Sequence, residues 1–386
     1  MLLTLGVIGT SNKENEHRVA IHPAQLERIP ESLRKNVFFE SGYGEPFGFS
    51  DQRMSVGTGG MKAREEIFAG CDVVLLPKPV QADFDQMREG GILWGWPHCV
   101  QQREFTQTSI DRKLTLIAFE AMFVWGPDGH RGRHTFYKNN ELAGYCAVLD
   151  ALRLKGIDGH YGRQQKIVVL SFGAVSRGAI YALKARGFTV ITICVQRPDH
   201  LVREEVLGCH YLRMRRGEQG QPRLVAVEHD GTVSSLMDLI SDADIVVNGI
   251  FQDPERPIMF VTEEEIPRLK PGCLIVDVSC DEGMGFPFAK PTSFEEPMFK
   301  EGPVDYYAVD HTPSYLWDSA SWEISTDLLR YLPVVMGGPD RWKEDETIRR
   351  AIEIQEGVVQ NPTVFAFQNR DEKYPHPVRP STNTSL

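Results

Sequence analysis

A lysine and a histidine stand twenty residues apart: Lys78 in Leu75-Leu76-Pro77-Lys78-Pro79, and His98 in Gly95-Trp96-Pro97-His98-Cys99. Each follows a short apolar run that reads as a buried strand, so both are expected at strand ends. Side chains leaving neighbouring strand ends can share one site. An amine beside an imidazole can then move protons while a carbonyl becomes an amine. Two further residues lie in comparable places. Arg18 follows the first strand, in Ser11-Asn-Lys-Glu-Asn-Glu-His-Arg18, where its guanidinium could grip a small carboxylate in two-pronged fashion or form a surface salt bridge. Glu120 ends Ile117-Ala-Phe-Glu120 and could orient Lys78 or His98, or simply satisfy a buried lysine.

These residues need a scaffold of strand ends, and the sequence supplies one. Leu3–Ile8, Val37–Glu40, Val73–Leu76, Ile92–Trp94 and Leu114–Phe119 are strand candidates separated by polar, Gly- and Pro-containing stretches. Such alternation predicts a parallel sheet flanked by helices. Asn139–Leu154 has the spacing of a buried helix, and a second α/β unit runs from Lys166 to about His311. The expected architecture is α/β: two Rossmann-like domains with parallel sheets flanking a cleft. The first, substrate-binding and catalytic, is discontinuous (residues 1–139 with 313–386), and the second, dinucleotide-binding, covers 140–312. Thr312–Gln368 reads as mostly helical and Arg370–Leu386 as a loosely held tail. Cys209–Leu236, with Arg213, Arg215 and Arg216, reads as a surface hairpin or as an added wall over the adenosine phosphate.

The second unit opens on Lys166-Ile-Val-Val-Leu-Ser-Phe-Gly173, a strand running into a turn, followed by a helix from Ala174 and a strand ending at Val195. That order is the setting a dinucleotide fingerprint requires, with pyrophosphate resting on the helix N-terminus. The pattern is imperfect. Ser171 stands where the first glycine usually lies, and Gly173 and Gly178 are spaced more loosely than in GxGxxG. Phe172, Gly173, Val175, Ser176 and Gly178 are the candidate phosphate-side residues, with Asn248 at the end of the Ile245–Ile250 run. After the second strand come Gln196 and Arg197, with no carboxylate until Asp199. An arginine there can pair with a 2′-phosphate, so NADP(H) is favoured and NAD(H) is the alternative.

Bulk properties narrow the classes. A chain of 386 residues is long enough for two domains, and its net charge of −11 argues against a nucleic-acid surface. Apolar runs are strand-sized, which excludes a spanning helix as an expectation. Met1–Thr10 lacks a signal-peptide pattern, and seven scattered cysteines without paired spacing suggest reduced thiols. A cytoplasmic location is expected, and no metal site is implied.

In combination, several segments resemble one superfamily. They are Ser11–Arg18, Phe38–Gly44, Gly95–Gln101, Gly132-Arg-His-x-Phe136, Asn139–Gly144, Val175–Ala179, Val276-Asp-Val-Ser-Cys-Asp281, Glu295–Pro297 and Val309–Ser314. The chain resembles the alanine dehydrogenase, transhydrogenase and saccharopine dehydrogenase superfamily and, within it, the N5-(carboxyethyl)ornithine synthases. The resemblance implies reductive joining of pyruvate to the side-chain amine of ornithine or lysine with NADPH. It makes Arg18 the clamp on the keto-acid carboxylate, Lys78 and His98 the acid–base pair, and Glu120 the group tuning Lys78. It places Asp281 at the nicotinamide, or as a capping carboxylate, and Asp310 and His311 near cofactor and substrate. Asn139, Asn140 and Glu141 would hold the amino acid or cap a helix. Saccharopine dehydrogenases carry a second arginine after the one matching Arg133. Here that place is His134, and a neutral imidazole would bind a second carboxylate poorly, which favours pyruvate. The rivals are reductive amination by ammonia, a saccharopine dehydrogenase, and a non-catalytic NADP sensor. The partners implied are a small keto acid and an amino acid, and a homo-oligomer is compatible with the resemblance.

Overall fold

The computed structural model describes residues 2–197, 204–250, 252 and 256–380. The chain divides into two compact units, Met1–Tyr137 with Trp317–Leu386, and Lys138–Leu316. No helix among the described residues is long and apolar enough to cross a membrane.

The first unit is built on six parallel strands: β1 (Leu5–Val7), β2 (Val37–Glu40), β3 (Gly60–Lys62), β4 (Val73–Leu75), β5 (Ile92–Gly95) and β6 (Thr115–Ala118). Their order across the sheet is β6-β5-β4-β1-β2-β3. β1, β4, β5 and β6 are buried at every position, as expected for a parallel sheet covered on both faces. Alternate residues feed opposite cores. Val73 and Leu75 join Leu5, Val7 and Trp94 on one side, and Val74 joins Leu93 and Leu116 on the other. A two-stranded hairpin, β7 (Phe123–Trp125) with β8 (Arg131–His134), follows the sheet.

Thr312–Gln368 is mostly helical, as expected, with one strand hairpin inside it, and the expected loose tail is corrected. Within the stretch read as helical, Ile352–Gln355 pairs antiparallel with β6 and turns back into Val358–Val359. The turn is Glu356-Gly357 with φ of 50° and 81°, the double positive φ of a type I′ hairpin. Alternating apolar residues, not helical periodicity, decide this segment. Residues 370–380 are also tied down. Arg370 is buried and donates to Gln368 Oε1 (2.7 Å), and His376 is buried against the backbone of Val359 (3.2 Å). Residues 381–386 lie outside the described residues.

The second unit begins with α1 (Tyr137–Lys155), β9 (Lys166–Leu170), α2 (Ala174–Ala185) and β10 (Val190–Val195). It continues through β11 (His210–Arg216), β12 (Leu224–Val227), β13 (Val233–Ser235), β14 (Ile245–Asn248), β15 (Leu274–Asp277), β16 (Met298–Glu301) and β17 (Val304–Tyr307). Six of these run parallel in the order β11-β10-β9-β14-β15-β17, the doubly wound arrangement of dinucleotide-binding sheets. β12, β13 and β16 add antiparallel edges. The segment expected as a surface hairpin is therefore an extension of the sheet. Leu212, Met214, Leu224 and Ala226 alternate into its core, which a detached hairpin could not provide.

The crossing of α1 over α2 depends on two glycines. A Cβ on Gly178 would stand 1.7 Å from the Glu141 carbonyl oxygen, and one on Gly144 would stand 1.9 Å from that of Val175. Both obstacles are backbone, so a methyl group must push the helices apart. Gly178→Ala is expected to destabilise the protein by ~1–3 kcal/mol, seen as a lowered midpoint in thermal unfolding. Gly173→Ala is the control, because a Cβ there meets no atom within 4 Å. Equal midpoints for the two variants would contradict the close crossing.

Candidate active site

Four adjacent strands, β6, β5, β4 and β1, each deliver a polar residue or loop from their carboxyl ends, where open α/β sheets bind ligands. Leu75 and Trp94 are register partners in parallel β4 and β5. Lys78 and His98 follow three residues after those strands end, so equal spacing brings them together. Lys78 Nζ lies 3.0 Å from His98 Nε2. The strand ends approach so closely that a Cβ on Gly95 would meet the Leu76 carbonyl oxygen at 1.9 Å. His98 then takes a left-handed conformation (φ 48°), which turns its chain over the end of β5.

Glu120 arrives two residues after β6, which pairs Ala118 with Gly95. Its Oε1 accepts the His98 backbone N–H at 2.7 Å and lies 3.7 Å from His98 Nδ1. Oε2 is enclosed, with no hydrogen-bond partner among the described residues. Burial, reinforced by the nearby Glu353 carboxylate, pushes the Glu120 carboxyl up to about 8, against the lowering effects of its backbone hydrogen bonds and Lys78. Glu120 is therefore neutral at pH 7. With Lys78 charged, Nζ donates to the Nε2 lone pair and the imidazole proton resides on Nδ1.

The loop after β1 is anchored from two sides. Glu40, the last residue of β2, accepts the backbone N–H of Gly9 (2.7 Å) and Thr10 (2.9 Å), and Ser11 Oγ donates to the Lys78 carbonyl at 2.9 Å. At the loop's far end, Val19 N–H donates to Ser321 Oγ at 2.9 Å. Between these anchors, Arg18 and Glu16 are both buried. Arg18 Nε donates to Glu16 Oε1 at 2.8 Å, and its neighbouring Nη2 donates to Oε2. One edge of the guanidinium fork is thus engaged by its own chain. The Trp96 ring lies 5.5 Å from Arg18 Cζ and 5.7 Å from Lys78 Nζ, so one indole joins the two cations. Lys78, Trp96 and His98 line a cavity of about 360 Å³ together with Asn12, Lys13 and Glu14.

Arg133 is exposed on β8, its guanidinium 3.7 Å over the Tyr137 ring. Its neighbour His134 packs on Phe123 and accepts the Phe136 N–H at Nδ1 (3.1 Å). Burial lowers its imidazole to about 4, so it is neutral at working pH.

In the second unit, Gly173 caps α2 with no side-chain cap and with open space around its Cβ direction. That leaves the N-terminus of a twelve-residue helix able to take a phosphate group. Ser171 holds φ of 88°, the positive value a glycine would favour. Its Oγ bonds Ser176 Oγ (2.6 Å) and the Gly249 carbonyl oxygen (3.1 Å), which supports this conformation. Gly178 faces α1 rather than the turn, so its role here is helix packing. Phe172 lies 4.0 Å beneath the Arg177 guanidinium, and Val175 is half-buried just inside α2. Asn248 is buried at the end of β14 and donates to Asp277 Oδ1 at 3.0 Å. Asp281 is half-buried and raised by burial to about 6. Asp310 accepts the His311 N–H at 2.7 Å, and His311 lies against Phe294. Asn140 sits half-buried on α1. Gln196 and Arg197 are exposed after β10, whereas Asp199 falls outside the described residues.

Sequence reasoning missed four residues. Glu16 and Trp96 stand beside residues that were singled out, and their partners are visible only in three dimensions. Asp277, buried and raised to about 7, receives Asn248, Tyr306 and two backbone N–H groups. Its signal was a charged residue closing the Leu274–Val276 apolar run. Glu353 lies in a short strand within a mostly helical segment, whose local pattern gives no sign of a site.

The chain was compared with known proteins. Residues 8–129 match the alanine dehydrogenase/PNT N-terminal domain, and residues 154–362 match the C-terminal domain of the same family. An N(5)-(carboxyethyl)ornithine synthase of Clostridium botulinum is 26% identical over 335 residues, covering 81% of this chain and 89% of the relative. An alanine dehydrogenase of Mycobacterium tuberculosis is 24% identical over 337 residues, covering 84% and 85%. A solved L-alanine dehydrogenase shares the fold with a TM-score of 0.74 at 20% identity, covering 95% of this chain and 99% of that one. With most of its length matched at both ends, the chain belongs to the alanine dehydrogenase/PNT family of oxidoreductases.

Proposed function

We propose that the protein uses NADPH to condense pyruvate reductively with the side-chain amine of a diamino acid, ornithine or lysine, giving an N-(carboxyethyl)amino acid. The observation that carries the chemistry is the 3.0 Å contact of Lys78 Nζ with His98 Nε2 at the wall of the cavity. Arg18, paired with Glu16 and set against Trp96 beside Lys78, would hold the keto-acid carboxylate. The Lys78–His98 pair, holding one proton between the two side chains, accepts a second from the attacking amine, and His98 returns one to the carbinolamine hydroxyl, which leaves as water. The nicotinamide, when bound, supplies the hydride that converts the resulting imine into a secondary amine. Its phosphates would lie on Gly173 and the α2 N-terminus, with Asn248 and Asp281 among the residues closing the site. The neutral His134 favours pyruvate over a keto acid with a second carboxylate. Relatives named N(5)-(carboxyethyl)ornithine synthase support the choice of amine. Relatives named alanine dehydrogenase support a second reading in which ammonia replaces the diamino acid.

NADPH oxidation with pyruvate and ornithine, lysine or ammonium separates the two readings, with mass spectrometry of the product. A diamino acid heavier by a carboxyethyl group is the expected result, and alanine as the sole product favours the second reading. Lys78→Met and His98→Gln should each lower kcat by ~100-fold or more with nucleotide binding retained. Full turnover in either variant would remove that residue from the chemistry. Ionised Glu120 would stabilise the protonated form of its basic partners and so withdraw the base. The rate of Glu120→Gln relative to wild type should therefore rise as pH passes through about 8, where Glu120 loses its proton. A flat ratio from pH 6 to 10 would separate Glu120 from catalysis.

A further inference from the structure

The carboxyl end of β10 carries a feature that the phosphate turn does not explain. β11 runs parallel to β10 with Ile193 opposite Tyr211 and Val195 opposite Arg213. Tyr211 and Arg213, two residues apart on one strand, share a face of the sheet. On that face Tyr211 packs edge-on against Phe172 of the turn, with ring centroids 5.3 Å apart. Arg213 stands one step further along, level with the last residue of β10, and Arg197 follows that residue by two positions. Both arginines are exposed. Arg153, Arg163, Arg186 and Arg268 of the same unit each hold a carboxylate within 3 Å. Arg197 and Arg213 have no such partner among the described residues. Two guanidinium groups carried at one strand end repel each other, and a multiply charged anion bound by both would turn that repulsion into attraction. In a doubly wound sheet this strand end is where the adenosine ribose is held.

We propose that Arg197 and Arg213 together form a site for a phosphate monoester on the adenosine ribose, Arg213 reaching it from β11 and Arg197 from the turn after β10. The inference rests on the NADPH reading and assigns half of that preference to β11. Arg215, next on the same face, is turned toward the β11–β12 hairpin, where it donates to the Arg216 carbonyl oxygen (3.0 Å) and Gln221 Oε1 (3.3 Å). It is not part of the site.

The test is calorimetric titration of the full chain with adenosine 2′,5′-bisphosphate and with adenosine 5′-monophosphate, taking the ratio of the two affinities. Wild type should prefer the bisphosphate by about tenfold or more. Arg213→Gln and Arg197→Gln should each remove most of that ratio, and Arg213→Lys should restore part of it. Raising salt should shrink the ratio in wild type more than in Arg213→Gln. The ratio is internal to each protein, so a general loss of folding does not imitate the result. A wild-type ratio near one would overturn the NADPH reading and this inference together. A ratio lost in Arg197→Gln but unchanged in Arg213→Gln would overturn the role of β11 alone.

Discussion

The contact between Lys78 and His98 exists because β4 and β5 are parallel, adjacent and in a fixed register. A slip of one residue would turn every side chain of β5 to the opposite face and exchange the two cores that Trp94 and Leu93 separately fill. The cores therefore enforce the register, and the register places the amine against the imidazole. Glu120 depends on the same arrangement through β6, whose Ala118 is held opposite Gly95. The hairpin from the C-terminal segment covers β6, so β6 is an interior strand with its ladder satisfied on both sides. It also carries the carboxylate of Glu353, which helps keep Glu120 neutral.

A comparable economy governs the second unit. Its turn from β9 into α2 is shaped by a serine that adopts a glycine's conformation, and the strain of φ 88° at Ser171 is offset by two hydrogen bonds that glycine could not make. The loose spacing to Gly178 has a separate reason, because that residue answers to the backbone of α1 rather than to a ligand. The departures from the usual fingerprint thus sort into one residue that shapes the turn and one that packs a helix.

What the sequence revealed follows from where local pattern and tertiary demand agree. The strands of both sheets are continuous apolar runs bounded by turn residues, and the positions of Lys78, His98 and Glu120 after those runs could be read directly. The hairpin Ile352–Val359 is not legible within its mostly helical segment because it is short and framed by helices, and only its Glu-Gly turn marks it. Residues 370–380 look like a tail because their composition is polar, yet Arg370 donates to Gln107 Oε1 and His376 accepts the Val359 N–H, partners outside the segment that its composition does not reveal. Trp96 could not be recognised as a bridge between Arg18 and Lys78 without coordinates. Its neighbours, Gly95 and His98, carried the visible signal.

The charges of the first-unit site explain why these residues occur together. A guanidinium buried as deeply as Arg18 would be costly without a partner, and Glu16 balances it before any ligand arrives. That neutral pair cannot by itself favour an anionic keto acid through net charge. In the proposed reaction its contribution would be a fixed, preorganised guanidinium rather than net charge. In the proposed reaction, the positive charge that would match an incoming carboxylate comes from the Lys78–His98 pair, which shares Trp96 with Arg18. An ionised Glu120 would neutralise that charge in advance. Keeping Glu120 protonated at neutral pH, through burial and through Glu353, would in the proposed reaction leave one cation at the cavity wall for the substrate. On this reasoning the two glutamates act in opposite senses. Glu16 pairs with Arg18 so that the guanidinium can be buried, and a neutral Glu120 would, in the proposed reaction, leave the proton on Lys78 and His98 available to the reacting groups.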